Sequence, residues 1–255
     1  TTIKGIGSVA ASNLMLEPTS TAAAGIEPGL TGSIKAMDVA GNLAFSSANG
    51  PYPTISLKVM GTGSTAVAGT DYDQVAVSGQ IGVLGTGTTP PPATNSISDL
   101  DLNLSLPLPS AQCKPEGDGT ILLVSAGAMG DSTTETVHAV NLATIDQPDN
   151  YWAVKSGMSL INYVDTGADD VTDQLVLNTA ALEWTALVGD ANLDKKVGIA
   201  DLSAVADNYG KTSDVDWLSG DFNLDGQVGI ADLSAVADNY GKNLGGGIIP
   251  EPATL

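Results

Sequence analysis

The chain of 255 residues has no arginine, one histidine, one cysteine and two phenylalanines. All nine of its basic residues are lysines, set against 29 acidic residues for a formal charge of −20. Nucleic-acid binding calls for a clustered basic face, which so acidic a chain does not supply. An anionic membrane surface is an equally poor partner. Cys113 stands alone, so no internal disulfide is possible, and it reads as a small buried side chain. Aromatics make up only 4 % of the chain, too few for the stacking platforms that line a typical glycosidase cleft, although acidic pairs are plentiful. His138 is the single imidazole, and any Ser-His-Asp arrangement would have to use it. It alternates within an expected strand and no Ser or Cys nucleophile motif lies near it, so a structural or surface role is expected. Asp165, Asp169 and Asp170 in DTGADD read as a solvated turn. No glycine-rich phosphate loop or histidine-based transition-metal set is evident. No apolar run reaches the roughly 18 residues that suggest a spanning helix. These absences argue against an enzyme and against a membrane-spanning segment.

What remains is rich in Gly, Ala, Ser, Thr, Val and Leu, with charged residues at only 15 %. That composition suits a secreted β-rich protein. Residues 1–32 include TSTAAAGIEPGLTG and read as an extended N-terminal arm. From 33 to 187 the main signal is period-two alternation. In 99-DLDLNLSLPL-108, leucines at 100, 102, 104, 106 and 108 share one face of an extended chain, and Pro107 marks a strand end or an edge. Further strands are expected in 54–61, 73–84, 120–126, 135–142, 159–164 and 173–179, separated by Gly, Pro, Asn and Asp. Short strands with such turns indicate a sandwich or jelly roll, with a short β-helix as the alternative. The Pro-rich stretch 85–96 reads as an exposed insertion.

The most informative feature is a duplication. Residues 189–211 read GDANLDKKVGIADLSAVADNYGK and residues 220–242 read GDFNLDGQVGIADLSAVADNYGK; 20 of the 24 positions from 188 to 211 recur at an offset of 31. As twelve-residue loops, the first places Asp190, Asn192 and Asp194 at positions 1, 3 and 5, Lys196 at 7, Gly198 at 9 and Asp201 at 12. The second places Asp221, Asn223, Asp225, Gln227, Gly229 and Asp232 at the same positions. Calcium takes six to eight oxygen ligands. Side chains at 1, 3, 5 and 12 and the backbone carbonyl at 7 supply such a set, with water filling position 9. Each loop offers three carboxylates to a doubly charged ion, so two Ca²⁺ ions are expected. Position 6 differs. Gly226 tolerates a left-handed backbone, whereas Lys195 is strained there, which makes the first loop the weaker or more distorted site. After each loop comes GIADLSAVADNYG, where Ile199, Leu202, Val205, Ala206 and Tyr209 follow helical spacing and Gly210 and Gly241 act as stops.

Paired loop–helix units closed by Asp, without a helix before the loop, resemble a type I dockerin over residues 188–243. Lys195 departs from the glycine usual in that family. The resemblance implies a small calcium-dependent module that binds cohesin domains, themselves β-sandwiches, and so attaches its chain to extracellular assemblies. Two near-identical helices related by a pseudo-twofold axis can offer the same surface twice; Ser203, Asp207 and Asn208 on one correspond to Ser234, Asp238 and Asn239 on the other. Residues 244–255 form a glycine linker and a tail, in which Pro250-Glu251-Pro252 resembles the start of a PEP-CTERM sorting signal and implies export to a bacterial surface. The region 70–145 resembles β modules of secreted bacterial surface proteins. Together these readings lead to a non-catalytic extracellular structural protein that assembles through its calcium-bound module, with a cohesin-like sandwich or a second copy of itself as partner. The alternative is a carbohydrate-binding β module anchored through its dockerin, with Tyr151 and Trp152 as the contact aromatics.

Overall fold

The computed structural model describes residues 2–5, 7–16, 24–29, 33–45, 51–83, 97–131, 136–167 and 171–244. The expected insertion at 85–96, Asp169, Asp170 and the PEP motif lie outside these residues. The protein is mainly β. Strands follow in the order β1 (Thr2–Gly5), β2 (Gly7–Leu16), β3 (Gly25–Pro28), β4 (Ala36–Phe45), β5 (Thr54–Lys58), β6 (Gln74–Val77), β7 (Ile81–Val83), β8 (Asp101–Leu106), β9 (Thr120–Asp131) and β10 (Ala139–Thr144). Then come β11 (Trp152–Val154), β12 (Ile161–Val164), β13 (Val171–Asn178) and β14 (Leu182–Trp184), followed by helices α1 (Ile199–Asn208) and α2 (Ile230–Asn239).

One sheet has the order β1-β3-β5-β8-β10 and is parallel throughout. The other runs β12-β13-β9-β6-β4-β2, parallel from β2 to β9 and antiparallel where β13 and β12 join; β7 also pairs with β4. Consecutive strands from β1 to β5 alternate between the sheets, β6 and β7 share the second sheet, and the alternation resumes through β10. Each return to a sheet lands beside the previous strand, so the chain climbs as a coil. This is the path of a short β-helix. Jelly rolls and immunoglobulin-type sandwiches pair neighbours antiparallel, so the expected β-rich fold is present while its parallel pairing departs from the leading sandwich expectation. The N-terminal arm is corrected outright: β1, β2 and β3 are strands of the two sheets and form the first turns of the coil.

In-register parallel stacking lines up like side chains. Ile26, Ile55, Leu102 and Val140 form one inward column, and Leu57, Leu104 and Leu142 form the next. The second sheet answers with Met37, Val75 and Val124, and with Leu14, Leu43 and Ile81. The leucine alternation has its cause here: Leu100, Leu102, Leu104 and Leu106 are wholly buried, and fully burying each such side chain is worth about 1.5–3 kcal/mol. On the outer face Ser56, Asn103 and Asn141 stack, with Asn141 Nδ2 donating to Asn103 Oδ1 at 2.9 Å. Such a ladder satisfies amide groups between rungs as well as within them.

A second core forms where the coil meets the C-terminal repeats. Tyr151, Ala186, Ala191, Leu193, Val197, Val205, Val215, Trp217, Phe222, Leu224, Val228 and Val236 are buried together, with Leu108 and Trp184 packed against them. Edge-on rings link the two bodies: Trp152 to Trp184 at 5.3 Å, Trp184 to Trp217 at 5.6 Å and Trp217 to Phe222 at 5.2 Å between centroids. These T-shaped contacts suit the ring quadrupoles. The 33–187 and 188–243 regions therefore share a packed aromatic seam.

Candidate metal centre

Each repeat folds as a loop wound around its first aspartate. In the first loop Asp190 Oδ1 accepts from the Asp194 amide at 3.1 Å and Oδ2 from the Lys195 amide at 2.8 Å. Asn192 Oδ1 accepts from the Asp194 amide at 3.0 Å, and Asp194 Oδ1 from the Lys196 amide at 3.0 Å. Asp201, in the first turn of α1, reaches back: its Oδ1 accepts from the Ala191 amide at 2.9 Å and its Oδ2 from the Gly198 amide at 2.8 Å. The second loop repeats this network. Asp221 accepts from the amides of Asp225 and Gly226 at 3.2 and 3.0 Å, and Asn223 from Asp225 at 3.0 Å. Asp225 accepts from Gln227 at 3.0 Å, and Asp232 from Phe222 and Gly229 at 2.8 and 2.9 Å. The sequence-predicted donors are thus drawn into two equivalent loops. Lys196 and Gln227 sit at position 7, and Gly198 and Gly229 precede the helices.

The electrostatics of these loops are uncompensated. Asp190 and Asp221 are fully buried, and Asp201 and Asp232 nearly so. Burial is expensive for a carboxylate unless it is paired. Among the described residues, no lysine or histidine forms an ion pair with any of these four. Burial pushes the Asp190 carboxyl up to about 6, against the opposing pull of the Lys195 and Asp194 amides, and the charges of Asp201 and Asp194 push the same way. Asp221 is raised by burial, with Asp232 and Asp225 adding to it. Among the described residues, no three or more His, Cys, Asp or Glu side chains are gathered closely enough to hold a metal ion by themselves. The donor chemistry of each loop is instead mixed, with carboxylate, amide and carbonyl oxygens, all hard ligands of the kind calcium takes.

Backbone conformation separates the two loops at position 6. Gly226 has φ 87°, where glycine is at ease; Lys195 has φ 71°, a left-handed conformation that costs a residue with a Cβ. The lysine is also held from the β body by an ion pair with Asp149 at 2.8 Å. Glycines at the loop entrances lock the repeats together. A Cβ at Gly189 would lie 3.2 Å from the Ala235 carbonyl of α2, and one at Gly220 would lie 2.7 Å from Val205 of α1.

The helical stripe is narrower than the spacing suggests. Val205 and Val236 are buried and Leu202 and Leu233 partly so, but Ile199 and Ile230 are each 67 % exposed and Tyr209 and Tyr240 stand out at the C-terminal ends. The buried face runs through Asp201 and Val205 on α1 and through Asp232 and Val236 on α2, and the isoleucines lie about 120° around from the valines. Ser203, Asp207, Ser234 and Asp238 are exposed, while the Asn208 and Asn239 amides bond back to Ala204 and Ala235 at 2.8 Å. The two equivalent surfaces are therefore both open to solvent.

Other sequence candidates resolve differently. Tyr151 and Trp152 are buried, with Trp152 Nε1 donating to the Pro107 carbonyl at 2.9 Å, so neither is a glycan platform. His138 is exposed, with Nδ1 2.8 Å from Asp101 Oδ1 and its ring stacked on Tyr52 at 3.6 Å. Sequence reasoning missed the seam of Trp184 and Trp217 behind the first loop; three tryptophans in so aromatic-poor a chain were the available signal. No protein-family model, curated protein or solved structure matches the chain.

Proposed function

We propose that the chain is a non-catalytic extracellular or cell-surface structural protein that assembles through a calcium-stabilised, dockerin-like C-terminal module. The observation that carries this reading is the doubled hydrogen-bond network around two buried aspartates that lack a cationic partner. Asp190, Asn192, Asp194 and Asp201, with the Lys196 carbonyl, would hold one Ca²⁺; Asp221, Asn223, Asp225 and Asp232, with the Gln227 carbonyl, would hold the other. Bound calcium would supply the positive charge that the buried carboxylates lack. The chain's own contribution is to fix the loops through their amides and to present two equivalent helix surfaces to a protein partner.

The partner is a cohesin-like β-sandwich or a second copy of this chain. The coil supports self-assembly. Its sheets end on β1 and β2 at one end and on β10 and β12 at the other, and edge strands are templates for further pairing. A contact joining opposite ends is head-to-tail and generates an open fibre when its rotation does not close. The acidic balance and the resemblance of the tail to a sorting signal support a location outside the cell.

Light scattering after size exclusion, with electron microscopy, tests the proposal on the intact chain in calcium and in EDTA. Calcium-dependent assembly, or calcium-dependent capture of a β-sandwich partner, is the expected result. Identical monomers and identical melting curves under both conditions would refute it. The carbohydrate-binding alternative has lost its contact residues to the core; saturable binding on a glycan array, lost in a folded Trp152→Ala variant, would restore it.

A further inference from the structure

The two loops are near-copies in sequence, but among the described residues only the first is tied to the β body by side-chain hydrogen bonds and an ion pair. Tyr151, from the segment entering β11, donates its hydroxyl to the Leu193 carbonyl at 2.9 Å, inside the first loop at position 4. Trp217 donates Nε1 to the Asp190 carbonyl at 2.8 Å, at position 1 of the same loop. Trp217 is itself tied to the body, since its amide donates to the Pro109 carbonyl at 3.1 Å and its ring packs on Trp184. The third brace is the ion pair between Asp149 and Lys195. Among the described residues, the Asp221 and Leu224 carbonyls of the second loop have no counterparts to these hydrogen bonds; the body approaches that loop through Ala111, whose Cβ would lie 3.5 Å from a Cβ at Gly226.

We infer that Tyr151 and Trp217 are positioning residues for the first cation loop, and that they make an ion in that loop a latch between the C-terminal module and the β body. The inference rests on the calcium reading above. Both donors are buried and both grip main-chain oxygens, so they act on the course of the loop whatever its side chains do. The left-handed Lys195 lies two residues after the gripped Leu193 carbonyl. The braces therefore hold a backbone shape that the second loop obtains from Gly226 without help. Filling the first loop would stiffen the aromatic seam, and loosening the seam would weaken the first loop while sparing the second.

The test is isothermal calorimetry of calcium binding to the full chain, alongside its calcium-dependent melting followed by near-ultraviolet circular dichroism of the tryptophan seam. Tyr151→Phe keeps the ring and removes only the hydroxyl. The expected result is one of the two binding steps weakened by about three- to ten-fold, the range for one lost hydrogen bond, with the other step unchanged. An Asp221→Asn background, which disables the second loop, should retain the affected step and so assign it to the first. The calcium-induced rise in melting temperature of the seam should shrink in parallel. Should Tyr151→Phe not fold, Trp217→Phe removes the other donor and carries the same expectation. Two wild-type steps that both stay within two-fold in the folded variant would overturn the latch and leave the calcium reading standing. A wild-type chain that binds no calcium would overturn both.

Discussion

Replacing Gly220 by alanine tests how the two repeats are locked. Gly220 has φ 94° and ψ 17°, at the end of the short 3₁₀ turn Trp217–Ser219. Alanine there incurs about 1–2 kcal/mol of left-handed strain, partly offset by about 0.4–1 kcal/mol from a stiffer unfolded chain. The new Cβ would also stand 2.7 Å from Cγ2 of Val205 and 3.3 Å from its Cα. Val205 is fully buried on α1. Overpacking of this kind adds about 1–3 kcal/mol. With the offset taken from the strain, these terms give a destabilisation of about 1–4.5 kcal/mol. Gly210 is the matched control, because its φ is 84° but a Cβ there meets nothing within 4 Å. Gly210→Ala should therefore cost only about 1 kcal/mol, the strain without the collision. Guanidinium unfolding in calcium buffer, followed by tryptophan fluorescence, measures both as shifts of midpoint at constant slope. If the two variants fall within about 0.5 kcal/mol of each other, the contact between Gly220 and α1 contributes nothing and the interlocked picture of the repeats is wrong.

Three further outcomes are expected. Asp221→Ala should remove one of two calcium-binding steps in calorimetry and leave the other, because each loop has its own complete donor set. Burial pushes the Cys113 thiol up to about 12, so the folded chain should resist Ellman's reagent at pH 8 and label only as it unfolds; rapid labelling of the native protein would contradict its place in the core. Burial opposes ionisation of Glu27, but its hydrogen bonds and charge interactions with Lys4 and Lys58 outweigh that and hold the carboxyl below its ordinary value. Its ionised form therefore stabilises the fold above the ordinary glutamate range and ceases to do so as pH falls through the lowered value. The stability gap between wild type and Glu27→Gln, from denaturant curves at a series of pH values, should narrow on acidification.

Strand positions were legible wherever the pattern was local. The run at 99–108 became β8 because every second leucine faces the shared core, and the expected strands at 54–61, 120–126 and 173–179 overlap β5, β9 and β13. Pairing was not legible. Partners such as Ile55 and Leu102 are far apart in sequence, and nothing local tells a parallel neighbour from an antiparallel one. The first three strands escaped notice because Ala, Thr, Ser and Gly resemble a linker until a neighbouring rung supplies their hydrogen bonds. β4 was missed for a related reason, since Gly41 and Asn42 interrupt the alternation that Met37, Asp38 and Val39 begin. In the repeats, loop and helix could be read residue by residue, since both follow from short-range spacing. The helix faces could not. Ile199 lies about 120° around the helix from Val205 and Tyr209 stands past the helix end as its C-cap, so both face solvent.

The crossed placement of Gly189 and Gly220 makes the tandem a pair of clasped hands. Each repeat leans its entrance on the other's helix, so neither has a finished interior when alone. Parting the two units would therefore uncover the contact surface of both helices at once.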